Sequence, residues 1–424
     1  MAERIPLRGR FGALAEREFR LLFLGTTITT VGDRLAGIAL AFAVLDRGSA
    51  TALGVVFAVR QGVEACVVLF GGVIADRLPR NLVLVGASLV QAAAQGATAY
   101  VVLSGTGGVG TIVALQAVYG LGAGVVLPAE VGLVPQTVSP ARLQQANALQ
   151  GLTRNLVGVL GPALGGALVV AGSPGTALAV DAVSFLVCAA LLAQIRVARR
   201  PDTGAPPESV LHDLRVGWRA FTSRTWLWAS VVLFGIGNLV FASWIVLGPL
   251  VAKQELGGAG PWALVLTAGG VGSVLGSVLA IRVRPRRPLV ACTLAAVPLS
   301  FQLVALALVV PVWALAVTTF CAGIGISVHL TLWFTLFQRE IPEEVQSRVS
   351  AYDTFGSFVL MPLGMALAGP VAVAIGVSAT LWGAAFVMWL SWGAILALPS
   401  VRALRAPTPG PAAAPAPARG DAAA

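Results

Sequence analysis

Ionisable side chains set inside long apolar runs are where this sequence can do chemistry. Asp33 and Arg34 adjoin in the first run, Arg60 and Glu64 stand four apart in the second, and Arg154 is alone in the fifth. Asp181 comes early in the sixth run, Asn238 lies in the seventh and His329 in the tenth. A charge at membrane depth is costly, turns toward a cavity or a partner, and marks a pathway for protons, ions or substrate. Asp33 can carry a proton or meet a cationic substrate, and Arg34 can bind an anion. Neighbours on a helix point about 100° apart, so the two do not face one spot. Arg60 and Glu64, at i, i+4 spacing, share a helix face and are expected to neutralise each other, with Glu64 a secondary proton carrier. Arg154 lies about 17 Å along its helix and should meet Asp33, Glu64 or an anionic group of a substrate. Asp181 reads as a helix cap. Histidine titrates near neutral pH, which makes His329 a candidate for coupling, and Asn238 a polar cavity wall.

A second cluster stands in a gap between runs. The stretch GGVIADRLPRNLVL, residues 71–84, packs Asp76, Arg77 and Arg80 around Pro79. Arg77 and Arg80 need acids nearby; Glu130 near the end of the fourth run and Asp353 in the eleventh are the candidates. Asp76, at a helix end, is placed to meet the positive end of the eleventh helix.

The elements that hold these residues follow from composition. Of 424 residues, 57% are hydrophobic and 11% charged, with mean hydropathy +0.87. A soluble domain carries about 25% charged residues. Runs near 20 residues recur, each long enough to cross about 30 Å of hydrocarbon. The chain is therefore expected to be an all-α membrane protein. The alternating rhythm of a transmembrane barrel is missing. The four Cys lie in apolar runs and read as small buried hydrophobes, with neither zinc nor disulfide spacing. No cleavable leader is expected from the Arg-rich first 20 residues. The basic residues behind a pI of 10.8 are spread over short loops, which argues against nucleic acid.

The runs predict twelve spans: 19–43, 51–75, 82–103, 109–134, 143–171, 174–195, 226–252, 260–281, 288–309, 312–337, 346–374 and 378–398. They form two six-helix halves, 19–195 and 226–398. A cytoplasmic tail covers 1–18, a linker with an interfacial amphipathic helix 196–225, and a disordered Pro/Ala tail 399–424. Of the 28 Lys and Arg, 23 fall on the side of the termini, Arg47 and Lys253 on the other, and Arg34, Arg60 and Arg154 within spans. Cytoplasmic loops collect Lys and Arg, so both termini are expected in the cytoplasm. A weak repeat supports the halves: "VSPARLQQANAL" before the fifth span is matched by "EIPEEVQSRVSA" before the eleventh.

The 71–84 gap resembles the loop-2–3 signature of the major facilitator superfamily, G-x-L-a-D-r-x-G-r-k-x-x-l. Gly72, Asp76, Arg77 and Arg80 match; Pro79 replaces the second Gly and Asn81 a base. "GDRLAGIALAFAV", "ALGGALV" after Gly161-Pro162, "DAVSF" and "PLGMALAGP" resemble the macrolide- and siderophore-exporter branch, a drug:proton antiporter-like group. The resemblance runs over about residues 15–400. It implies twelve helices in two pseudo-repeats that rock about a central site. It also implies that Asp76, Arg77 and Arg80 clasp the halves on the cytoplasmic side while the outer side is open. The fourth-span Arg of many proton-driven antiporters is Gln116 here, which removes that coupling route.

The function these readings imply is proton-coupled efflux of small lipophilic molecules across a cell membrane, by a monomer without a cofactor. One proton charge at 100 mV is worth about 2.3 kcal/mol, so a single titrating carboxylate, Asp33, supplies useful work. Import of a small solute shares the same fold. A membrane-embedded enzyme lacks support, since no H-E-x-x-H and no P-loop occur.

Overall fold

Backbone polar groups in lipid must be satisfied within their own segment, and the chain answers with helices. The computed structural model describes residues 12–196 and 210–405, with side chains at 69–77, 210–214 and 347 outside the description. Residues 1–11, 197–209 and 406–424 therefore lie outside the described residues; of the tails expected at 1–18 and 399–424, Gly12–Ala15 and Pro399–Ala403 are helical, with Ala13 and Val401 fully buried, because each packs an apolar side chain on its bundle. Within them, twelve helices are long and apolar enough to cross a membrane. They are α1 Arg17–Arg47, α2 Ala50–Arg77, α3 Arg80–Ser104, α4 Val109–Thr137, α5 Leu143–Ala171 and α6 Pro174–Leu192. The second set is α7 Thr225–Glu255, α8 Ala259–Ala280, α9 Pro288–Ala307, α10 Val312–Glu340, α11 Glu343–Ile375 and α12 Val377–Ala397. Large apolar side chains such as Leu279, Ile281, Trp313 and Val373 stand exposed on their outer faces. Such a surface would aggregate in water and suits lipid.

Two of the expected spans are broken. α9 divides into Pro288–Ala296 and Pro298–Ala307, and α11 into Glu343–Phe358 and Met361–Ile375. Pro298 and Pro362 cause this, because each lacks an N–H and its ring crowds the preceding turn. At the α11 break, the Asn238 amide donates to the carbonyl of Ser357 at 2.9 Å, which ties α7 to α11.

The helix Val210–Thr222 precedes α7. Phe221 is buried and stacks on Tyr352 of α11, with Trp218 edge-on to the same ring. The expected amphipathic helix is thus seated on the second bundle.

α1–α6 and α7–α12 meet through α2 with α11 and α5 with α8. These contacts run from mid-helix to the end away from the termini. Gly54 of α2 abuts the Met365 carbonyl of α11, and Gly369 abuts Thr51. A Cβ on Gly270 of α8 would sit 2.8 Å from the Gly158 carbonyl oxygen of α5. Small residues allow such backbone approach in lipid. At the rim, Lys253 pairs with Asp46 at 2.6 Å and donates to the Leu45 carbonyl at 2.8 Å. The other end carries both described termini, where Arg142 donates to the Gly12 carbonyl at 2.9 Å.

Candidate functional site

The first bundle holds a continuous polar network. Asp33 of α1 pairs with Arg60 of α2 at 3.4 Å and accepts a hydrogen bond from the Tyr119 hydroxyl of α4. The Arg60 guanidinium lies 3.9 Å over the Tyr119 ring, a cation–π contact, and donates to the Gln116 side-chain Oε1 at 3.5 Å. Gln116 donates to Gln95 and Thr98 of α3, and Gln95 donates to Asp181 of α6 at 2.7 Å. Asp181, Gln95, Thr98 and Gln116 are fully buried. Five helices thus converge on one guanidinium.

This arrangement corrects two expectations. Arg60 pairs with Asp33 across helices and not with Glu64 on its own helix, because its guanidinium is drawn inward over the Tyr119 ring. Among the described residues Glu64 makes no hydrogen bond or ion pair; it remains in electrostatic range of Arg60 and Asp33. Asp181 is no cap: Ser173 and Thr176 form a reciprocal capping box at the start of α6, two turns earlier. That box was visible as Ser-Pro-x-Thr in the sequence. Gln95 and Gln116 were missed as network members, since a lone Gln in an apolar run carries no spacing signal.

Arg34 and Arg154 are exposed, one on α1 and the other on α5. The stem of Arg34 lies against Gly161, seven residues beyond Arg154 and so on nearly the same face of α5. Neither arginine has an ion pair among the described residues. Glu130 is in electrostatic range of Arg154 and accepts from Gln150 at 3.1 Å. Glu130 thus faces α5 across its own bundle.

Of the expected clasp, Gly72 and the side chains of Asp76 and Arg77 lie outside the described residues. Arg80 donates to the Gly132 carbonyl at 2.7 Å, within its own bundle. Asp353 is buried in the second bundle and accepts from the Trp333 indole at 3.1 Å.

The second bundle contains a cavity of about 510 Å³. Phe234, Trp333, Phe334 and Trp392 contribute to its walls, and Asn238, His329 and Asp353 reach it. The His329 Nδ1 stands 2.9 Å from the Cys292 carbonyl oxygen, which can only accept, so Nδ1 carries the hydrogen. Cys188 and Cys292 are buried as expected, whereas Cys66 and Cys321 are exposed.

A family model described as the Major Facilitator Superfamily matches residues 22–365. The multidrug efflux pump Tap of Mycobacterium tuberculosis (strain ATCC 25618 / H37Rv) is 26% identical over 282 residues, 62% of this chain and 63% of that one. The Mycolicibacterium fortuitum pump of the same name is 26% identical over 276 residues, 62% and 65% of the two chains. The chain thus spans less than two thirds of these relatives' length. Among solved structures, a bacterial homologue of the human lysosomal transporter Spinster, inward-facing and unoccupied, superposes with TM-score 0.69 at 15% identity. That match covers 91% of this chain and 97% of the other. A bacterial homologue of the iron transporter ferroportin, also inward-facing, gives 0.67 at 20% identity over 90% and 98%. At these identities the likeness shows the fold.

Proposed function

The chain belongs to the Major Facilitator Superfamily, and on that premise we propose that this transporter exports small lipophilic molecules by alternating access, in exchange for protons. The observation that carries the reading is the polar network centred on Asp33. Three carboxyls (Asp33, Glu64 and Asp181) surround the one guanidinium of Arg60, so the acids outnumber the base and the cluster can take up a proton.

The coupling runs through α2. Protonation of Asp33 weakens its hold on Arg60 and leaves Glu64, one turn along, as the alternative partner. The same helix presses on α11 at Gly54. A change in the seating of Arg60 is thereby felt where the bundles touch. With the Lys- and Arg-rich end in the cytoplasm, contact at the far end corresponds to an inward-open state. The efflux direction draws on the Tap relatives, and the lipophilic substrate class on the aromatic cavity of the second bundle.

Accumulation of a dye and drug panel in cells tests this, with and without an uncoupler, comparing wild type with Asp33→Asn. Wild type should lower accumulation of at least one compound in an uncoupler-sensitive way, and Asp33→Asn should abolish the difference. Unchanged export by Asp33→Asn would remove Asp33 from the proton path.

A further inference from the structure

We propose that the cavity inside the second bundle is a binding site for lipophilic organic cations, with Asp353 as the counter-charge and Phe234, Trp333 and Phe334 as the aromatic wall. This deepens the export reading above and rests on it for physiological meaning. Three observations carry the site itself.

The first is charge. Asp353 is 6% exposed, and its described hydrogen-bond donor is the neutral Trp333 indole. The Ser357 hydroxyl is a second neutral neighbour. Among the described residues that line the cavity there is no Lys or Arg, and Asp353 has no ion pair. A carboxylate removed from water without a cation is expensive, and the missing partner is what a cationic ligand supplies.

The second is the wall. Trp333 packs edge-on to Phe234 at 4.9 Å between centroids, and Phe234 packs edge-on to His329 at 5.1 Å. Aromatic faces around a cation add attraction that grows when water is excluded. A volume of about 510 Å³ suits a drug-sized molecule.

The third is His329, 8% exposed. Because Nδ1 donates to the Cys292 carbonyl, the neutral ring presents Nε2 as an acceptor, with no protein partner among the described residues. A ligand ammonium bearing an N–H can donate to it. The cavity also touches the moving seam: Met361 lines it and meets the Gln61 amide of α2 at 3.8 Å. Occupancy is therefore registered at the contact between the bundles.

The test is equilibrium binding of tetraphenylphosphonium to the purified full chain, with the neutral triphenylphosphine oxide as competitor. Asp353→Asn should weaken cation binding about tenfold or more while leaving competition by the neutral compound unchanged. Asp353→Glu should restore much of the affinity. Phe334→Leu, which keeps an apolar wall but removes the ring, should weaken the cation about threefold and guards against misfolding of the Asn variant. Wild-type affinity in Asp353→Asn, or no saturable tetraphenylphosphonium binding to wild type, overturns the site. Cation binding without export in cells would sink the export reading and leave the site standing; export of neutral compounds without cation binding would do the reverse.

Discussion

In the first bundle a run of hydrogen bonds passes from Ser184 to Asp181, Gln95, Gln116, Arg60, Asp33 and Tyr119, linking five helices. In the second, one acid and one imidazole stand apart among aromatic rings around an open cavity. The contrast is sharpest between Asp33 and Asn238, which lie near the middle of α1 and α7, the first helix of each set. Asp33 holds a charge from the neighbouring helix; Asn238 holds a carbonyl released by a helix break. One half is filled with polar partners, and the other leaves its acid among neutral groups; the proposed proton and ligand roles rest on that difference.

The comparison breaks most visibly if the network is not a network. Arg60→Met leaves Asp33 with Tyr119 alone and removes the neutralising charge from the cluster. The pair is partly exposed, 39% at Asp33, but loss of Arg60 also strips Tyr119 and Gln116 of a charged partner, and together these cost about 2 kcal/mol. Thermal unfolding of the solubilised protein should therefore show a large loss for Arg60→Met. The double variant Arg60→Met/Asp33→Asn should lose less than the sum of its singles, and the cycle with Glu64→Gln should be close to additive. Strong coupling to Glu64 and none to Asp33 would restore the local i, i+4 pairing that the sequence suggested.

That pairing shows where sequence reading stops. The twelve spans are legible because hydropathy is a local sum, and the linker helix because its apolar residues recur at helical spacing. Arg60 was assigned to Glu64 because only the separation along the chain was visible, whereas Asp33 is brought to it by the packing of α1 on α2 and α4. The cavity was unreadable for a similar reason: Phe234, His329, Asp353 and Trp392 come from four helices and share no motif. The breaks at Pro298 and Pro362 were not readable from proline alone, since Pro128, Pro162, Pro249 and Pro370 also stand within spans and leave their helices continuous. Cys66 and Cys321 were misplaced because an apolar helix gives no phase by which to tell its buried face from its lipid face; the same lack of phase hid the depth of Asp181.

A smaller effect sharpens the comparison at the seam between the halves. Gly54 lets α2 touch the backbone of α11, whereas a Cβ at Gly62 of the same helix meets nothing within 4 Å. Gly54→Val should pry the far end apart, and Gly62→Val should not. With Cys66 and Cys321 replaced by Ser, labelling of Thr51→Cys by a membrane-impermeant maleimide should rise severalfold in Gly54→Val alone. Equal labelling in both variants would mean that the seam is soft and that closure is set elsewhere, for instance by Lys253 and Asp46.

The smallest effect belongs to the first bundle's rim, where charge is used without burial. Glu16 accepts from the Ser139 hydroxyl at 2.7 Å and the Ser139 amide at 2.9 Å, with Arg142 at 3.3 Å. These bonds, the Ser139 hydroxyl first, hold the Glu16 carboxyl below its ordinary 4.5. A depressed acid lends stability above its unfolded value and loses it as pH falls through the folded one. The junction between α4 and α5 should therefore loosen only at pH values below about 4.5, and hydrogen exchange at the Ser139 amide should quicken there. Glu16→Gln keeps one acceptor oxygen and no charge, so its Ser139 amide should exchange faster at neutral pH and show no further change on acidification. Screening by salt should weaken the Arg142 contribution and spare the Ser139 bonds, since only the former is an ion pair at the surface.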